Sequence, residues 1–284
     1  MNSRRKRSII ALTDGLKSLI AYWAGRPEDA FHYASQGADT AANLRGTVGL
    51  WLLGLQARAA AVLGDEETER TVNQATADRR EPVIHDDLDQ FGGLFTYAPE
   101  KQLYYAIESE VLLGHGDAQL AAQAEQAVLD FSDPNSPNWA FGDLAGSQCD
   151  LALIRLFSGD MEGTADAIRP VLNLPPSHRN NGIVVSALRV RHALMTSPAR
   201  TAVVAQDLRA EIEAFPASRP ALPRGHHHRG PSSDRVPLSS FSTRQVRCRH
   251  SVLPSGHVLQ WPGALATWQT GVGELQCAIR LAEA

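Results

Sequence analysis

Residues 149–174 read CDLALIRLFSGDMEGTADAIRPVLNL, and this stretch decides the fold. An apolar run ends at Ser158-Gly159-Asp160, and an alanine-rich run begins directly after it. Glycine can leave a helix through a left-handed backbone, and aspartate can cap the next one. The stretch therefore predicts a helical hairpin, Asp143 to Ser158 and then Met161 to Leu174. The same punctuation recurs at Gly25-Arg26-Pro27, Gly64-Asp65 and Gly116-Asp117. One hairpin is too small to bury its own apolar face, so it covers that face with its neighbour. The expected fold is all-α, a right-handed stack of antiparallel helical hairpins over residues 10–215.

The remaining pairs follow from apolar spacing. Leu12, Leu16, Leu19, Ile20 and Trp23 predict the stripe of a first helix, and Glu28 to Ala42 the return. Leu44 to Leu63 carries Leu44, Val48, Leu52 and Leu55, and Glu66 to Arg79 follows it. Lys101 to Leu113 pairs with Ala118 to Phe131, its buried stripe being Leu103, Ile107 and Val111. Ser177 to Thr196 and Pro198 to Phe215 read as a closing pair. Residues 1–9, with Arg4-Arg5-Lys6-Arg7, read as a frayed basic arm. The apolar region of an export signal should follow such an arm, but Asp14 and Lys17 interrupt it.

An insert, Arg80 to Glu100, separates the second and third pairs. Its His85-Asp86-Asp87-Leu88-Asp89 lacks the ligand order of a calcium loop and reads as an acidic solvated loop. Gly92-Gly93 is followed by no Gly-Lys-Ser/Thr, so it serves a tight turn rather than a phosphate. Beside the insert, Tyr97, Lys101, Gln102, Tyr104 and Tyr105 cluster aromatic and polar groups. The candidate ligand or partner groove is Tyr97, Lys101, Gln102, Tyr105, Glu108, Asp143, Asp150 and Phe157. No Ser/His/Asp or Cys/His set converges, and Cys149 sits among apolar neighbours, so no enzyme activity and no cofactor is expected.

Two runs carry a family resemblance. Phe91-Gly92-Gly93-Leu94-Phe95-Thr96-Tyr97 leads into Lys101-Gln102-Leu103-Tyr104-Tyr105-Ala106. Asp150-Leu151-Ala152-Leu153 leads through Gly159-Asp160 into Ala167-Ile168-Arg169-Pro170-Val171-Leu172-Asn173-Leu174-Pro175. Together they resemble the tetratricopeptide-like C-terminal region of bacterial Xre-type helix-turn-helix transcriptional regulators. The repeats are degenerate, because their spacings depart from the usual period of about 34 residues. The resemblance implies a regulatory or sensor module that binds a peptide, protein segment or small ligand, or pairs with a second copy as a homodimer. It implies that Leu151 and Ala152 are close-packing sites, that Thr164 and Val171 face inward, and that Cys149, Asp150, Leu153, Leu156 and Phe157 face a concave side. The family's DNA-binding head takes roughly 60 residues, and none precedes the first repeat helix here. DNA binding by this chain is therefore not expected. The alternatives are a complete DNA-binding regulator, through Arg4 to Arg7 or the basic tail, and a standalone interaction scaffold.

Charge and composition set the limits. Hydrophobic residues make up 43% and charged residues 20% of 284, with a net charge of −4, so the whole chain has no basic nucleic-acid footprint. Three cysteines, Cys149, Cys248 and Cys277, form no CxxC pair and fit a reducing cytoplasm. No apolar run reaches the roughly 20 residues of a membrane helix. Residues 1–215 hold 28 acids against 19 Lys and Arg, while residues 216–284 hold 3 against 8. The tail also takes 7 of 16 prolines, so helical periodicity stops there. It reads either as a disordered basic segment for an acidic partner or as text out of frame, and its lack of internal agreement favours the second. Gly271 to Ala284 is its one candidate helix, and His226-His227-His228, Cys248, His250 and His257 match no zinc spacing.

Overall fold

The computed structural model describes residues 3–216, and the readings made of the tail lie outside them. The described residues are all-α, with ten α-helices and no strand. They run α1 (Ser3–Trp23), α2 (Pro27–Ala41), α3 (Val48–Val62), α4 (Glu66–Asp78), α5 (Pro99–Leu112), α6 (Ala118–Asp130), α7 (Phe141–Phe157), α8 (Met161–Leu172), α9 (Asn181–Thr196) and α10 (Val203–Ala214).

Four of the hairpin turns are built alike. After α1, Arg26 N–H donates to Ala21 O at 3.0 Å and Gly25 N–H to Tyr22 O at 3.1 Å. The same pair of bonds joins Asp65 to Ala60 and Gly64 to Ala61, His115 to Glu110 and Gly114 to Val111, and Asp160 to Arg155 and Gly159 to Leu156. Each satisfies carbonyls that the helix end would leave bare, at a glycine with positive φ. After three of the four the next helix starts on a side-chain cap: Thr68, Leu120 and Gly163 N–H donate to the carboxylates of Asp65, Asp117 and Asp160. In the third turn the left-handed residue is Gly114, at φ 89°, not Gly116 as the sequence suggested. Gly116 serves close packing instead, since a Cβ there would lie 2.7 Å from Phe157 Cβ.

Helices α1, α3, α5, α7 and α9 pack each on the next, and their partners lie against them. Helix α1 also meets α9, so this inner layer closes on itself. Helix α3 is apolar all round and buried almost all round, as a helix without a polar face must be. Under α7 to α10 lies an apolar core in which Ile154, Ile168, Val190, Leu194 and Ile212 are fully buried.

Three sequence expectations change. The basic arm is not frayed: α1 begins at Ser3, and Ser8 and Ala11 are already buried. Of the stripe expected on α1, Leu12 and Leu16 are buried, but its later part turns outward. Ile20 is 47% exposed, while Ala11, Ser18 and Ala21 face inward, where Ser18 Oγ donates to Ala30 O at 2.8 Å. Small residues there let α2 approach closely. Finally, α3 starts at Val48 rather than Leu44, because Thr47 is held by the insert.

Candidate functional site

Where the inner helices converge, the interior is charged and aromatic rather than apolar. The last turn of α1 brings Tyr22 and Trp23, α3 brings Arg58, α5 brings Tyr104, Tyr105 and Glu108, α7 brings Asp150 and α9 brings Arg189. A lone arginine in an apolar helix cannot be buried without a partner. Arg58 and Glu108 are each 1% exposed, and Arg58 Nη2 lies 2.7 Å from Glu108 Oε2. Glu108 Oε2 is held by this ion pair without a hydrogen bond. The Arg58 guanidinium lies between two rings, 4.3 Å from the Tyr22 centroid and 4.0 Å from that of Tyr105. The other carboxylate oxygen of Glu108 accepts from Arg189 Nη1 and from Tyr22 Oη, both at 2.8 Å.

Two close approaches seat the neighbouring tyrosines. A Cβ on Gly54 would lie 2.4 Å from Tyr97 Oη, and one on Gly146 would lie 2.1 Å from Tyr104 Oη. Only glycine leaves room for the rings at these positions.

Two guanidiniums, Arg58 and Arg189, share the one Glu108 carboxylate. Burial works to raise the Glu108 carboxyl, but Arg58 and Arg189 beside it hold it below the usual carboxylate range. Burial, reinforced by the charge on Glu108, pushes the Asp150 carboxyl up. Among the described residues, Arg58 Nε and Nη1, Asp150 Oδ2, Tyr97 Oη and Ser147 Oγ are buried without a hydrogen-bond partner.

Arg189 is the member that reaches outside, with 24% of its side chain exposed. It lies 5.0 Å from the Tyr22 ring and 5.5 Å from the Trp23 ring. At the start of α9, Asn181 Nδ2 donates to Trp23 O at 3.2 Å, a second tie of α9 to the end of α1. On its accessible side opens a pocket of about 250 Å³. Val62 of α3, Val111 and Leu112 of α5, Leu153 and Phe157 of α7, and Ala193 of α9 line it, with Arg189 the one charged group.

A second pocket, of about 260 Å³, lies beside the insert and includes Arg80, His85, Tyr97, Pro99 and Asn138. Arg80 donates to Gln102 Oε1 at 2.6 Å and to Tyr97 O at 2.8 Å. The insert is pinned from within. Asp89 is 7% exposed and accepts from Thr47 N and Oγ1 and from Asp86 N, while Tyr97 N–H donates to Thr47 Oγ1 at 2.8 Å. The acidic loop expected to be solvated is therefore anchored by its last acid to the start of α3. Gly92 and Gly93, with φ of 66° and 58°, make its turn.

The eight candidate residues separate into three groups. Tyr105, Glu108 and Asp150 enter the buried cluster, and Phe157 lines the pocket over Arg189. Lys101 pairs with Asp143 at 3.0 Å, with its Nζ 5.8 Å from the Tyr105 centroid. Tyr97 and Gln102 belong with Arg80. Of the five residues expected on an open concave face, Cys149, Asp150, Leu153 and Leu156 are buried, and Phe157 alone, 43% exposed, is open to solvent. Thr164 and Val171 face inward as expected, both fully buried.

Sequence reasoning missed Arg58, Arg189 and Tyr22. Arg58 carried a signal, as the one charge in a helix with no polar face. Arg189 carried none, since it stands beside a second arginine, Arg191, on α9.

Burial, then the neighbouring Asp150, pushes the Cys149 thiol up. Among the described residues no group of His, Cys, Asp and Glu is arranged to hold a metal, and no helix is long and apolar enough to cross a membrane. No family model, no curated protein and no solved structure matches this chain.

Proposed function

We propose that the helical unit is a non-catalytic regulatory module that senses a ligand or partner, a small molecule or peptide segment, at the pocket over Arg189. Its kinship with the effector part of Xre-type regulators, and a place in the cytoplasm, belong to the same proposal. One observation carries the reading. Arg189 belongs at once to the pocket, to the buried pair with Glu108 and to the contact of α9 with α1. A ligand shifts a protein between two arrangements only if it binds them unequally. Any group that draws on Arg189 changes what holds the inner layer closed, so binding and closure are coupled through one side chain.

A thermal-shift screen of small polar and amphipathic molecules against the full chain and against Val62→Trp tests this. Val62 is 40% exposed at the rim, so an indole there fills the pocket without entering the core. The expected result is a class of molecules that raises the melting temperature of the unaltered chain only. Hits that stabilise both proteins equally, or no hits, contradict the reading.

A further inference from the structure

Resting on the binding-module reading, we propose that the pocket over Arg189 takes a small molecule with an apolar body and a single carboxylate. Three features of the pocket fix that chemistry. The first is charge. At this point two guanidiniums, Arg58 and Arg189, share one carboxylate, that of Glu108. Arg58 is sealed between rings, so a ligand reaches the positive charge only at Arg189. A cationic ligand would meet like charge there, and an anion would meet opposite charge.

The second is the shape of the donor. A guanidinium presents its N–H groups as a planar fork that matches a carboxylate. Arg189 commits Nη1 to Glu108 and is steadied over Tyr22 and Trp23, so the fork is held in place before a ligand arrives. An ordered donor set loses little freedom on binding.

The third is the lining. Apart from Arg189 every wall is aliphatic or aromatic: Val62, Val111, Leu112, Leu153, Phe157 and Ala193. A second charge on the ligand would be pressed against these walls without a partner, which excludes dianions such as phosphate esters. The volume, about 250 Å³, is below the roughly 300–1,000 Å³ of drug-sized sites, so the body is short. An unbranched medium-chain acid such as octanoate has this build.

The test is calorimetric titration of the full chain with octanoate, octan-1-ol and octylammonium, and with a short peptide ending in leucine as free acid and as amide. Octanoate is expected to bind at least about tenfold tighter than the alcohol or the amine. Val62→Trp is expected to abolish this binding, and Arg189→Gln to bring octanoate down to the level of the alcohol. If Arg189→Gln does not fold, the alcohol and Val62→Trp still decide. Equal binding of octanoate and octan-1-ol, both blocked by Val62→Trp, overturns the carboxylate and leaves the pocket reading standing. Free-acid peptide binding tenfold tighter than octanoate, and lost in the amide, overturns the small molecule in favour of a chain end. Octanoate binding that Val62→Trp does not touch overturns the site. No binding of any probe overturns the acid, and the library screen then says separately whether the pocket binds anything.

Discussion

The two interiors of this helical unit are unlike, although the same hairpin encloses both. Under α7 to α10 the core is apolar, with Ile154, Ile168, Leu194 and Ile212 at 0% exposure. Between α1, α3, α5 and α9 the space is filled by Arg58, Glu108, Arg189, Tyr22 and Tyr105. The first interior gains stability from area removed from water and tolerates replacement by other apolar groups of similar volume. The second must desolvate three charges, and a buried ion pair often does no better than apolar side chains of its size. Stability alone does not explain the second interior. It lies where the inner layer closes and where the Arg189 pocket opens.

The comparison breaks hardest at Glu108. Replacing it with alanine leaves two guanidiniums, one fully buried, without the carboxylate that pairs with both. We expect a loss of about 3–5 kcal/mol in urea unfolding. A loss below about 1 kcal/mol would mean that water reaches the cluster readily. Leu194→Ala in the apolar interior is expected to cost less, about 2–4 kcal/mol, with a purely packing cause. The two losses are also expected to differ in pH dependence, because only the first removes an ionised group.

A third prediction concerns the boundary between α4 and α5. Burial, then the charge on Glu110, pushes the Glu69 carboxyl up from 4.5 to about 7, against bonds from Asn73 and Ser109 and the nearby His115. A carboxyl that holds its proton more tightly when folded favours the fold at low pH. Its contribution is therefore fully present below about 4.5 and is lost as pH rises towards 7. Glu69→Gln is expected to flatten that part of the stability–pH curve and to stabilise the chain at pH 8 by on the order of 2 kcal/mol. An unchanged curve would place Glu69 in water.

The smallest effect separates two glycines. Gly114→Ala forces a side chain into the left-handed region but meets nothing within 4 Å. It is expected to cost about 1–2 kcal/mol, read as a lower urea midpoint. No cost would restore the turn to Gly116.

These contrasts show what was legible in the sequence. Gly64-Asp65 and Gly159-Asp160 announced their hairpins because glycine exit and aspartate cap act within a few residues of each other. The third turn was misplaced by two residues because Gly114 and Gly116 both offered themselves, and the end of α5 decides between them. Tyr105 and Glu108 stood out as an aromatic and an acid on a buried face. Their partners did not, because Tyr22 reaches Glu108 across 86 residues and Arg189 across 81. No local period encodes the closure of α9 on α1, and that closure turned an expected open groove into an interior with one pocket at its edge.

The central claim is that Arg189 joins the pocket to that closure, and hydrogen exchange on Arg189→Gln tests it most directly. Faster exchange is expected in the last turn of α1 around Tyr22 and Trp23, and in α9 around Asn181 to Arg189, rising together. Helix α8 and the apolar interior around Ile168 should keep their protection. Unchanged exchange in α1, or a loss of protection spread evenly over all ten helices, would contradict it.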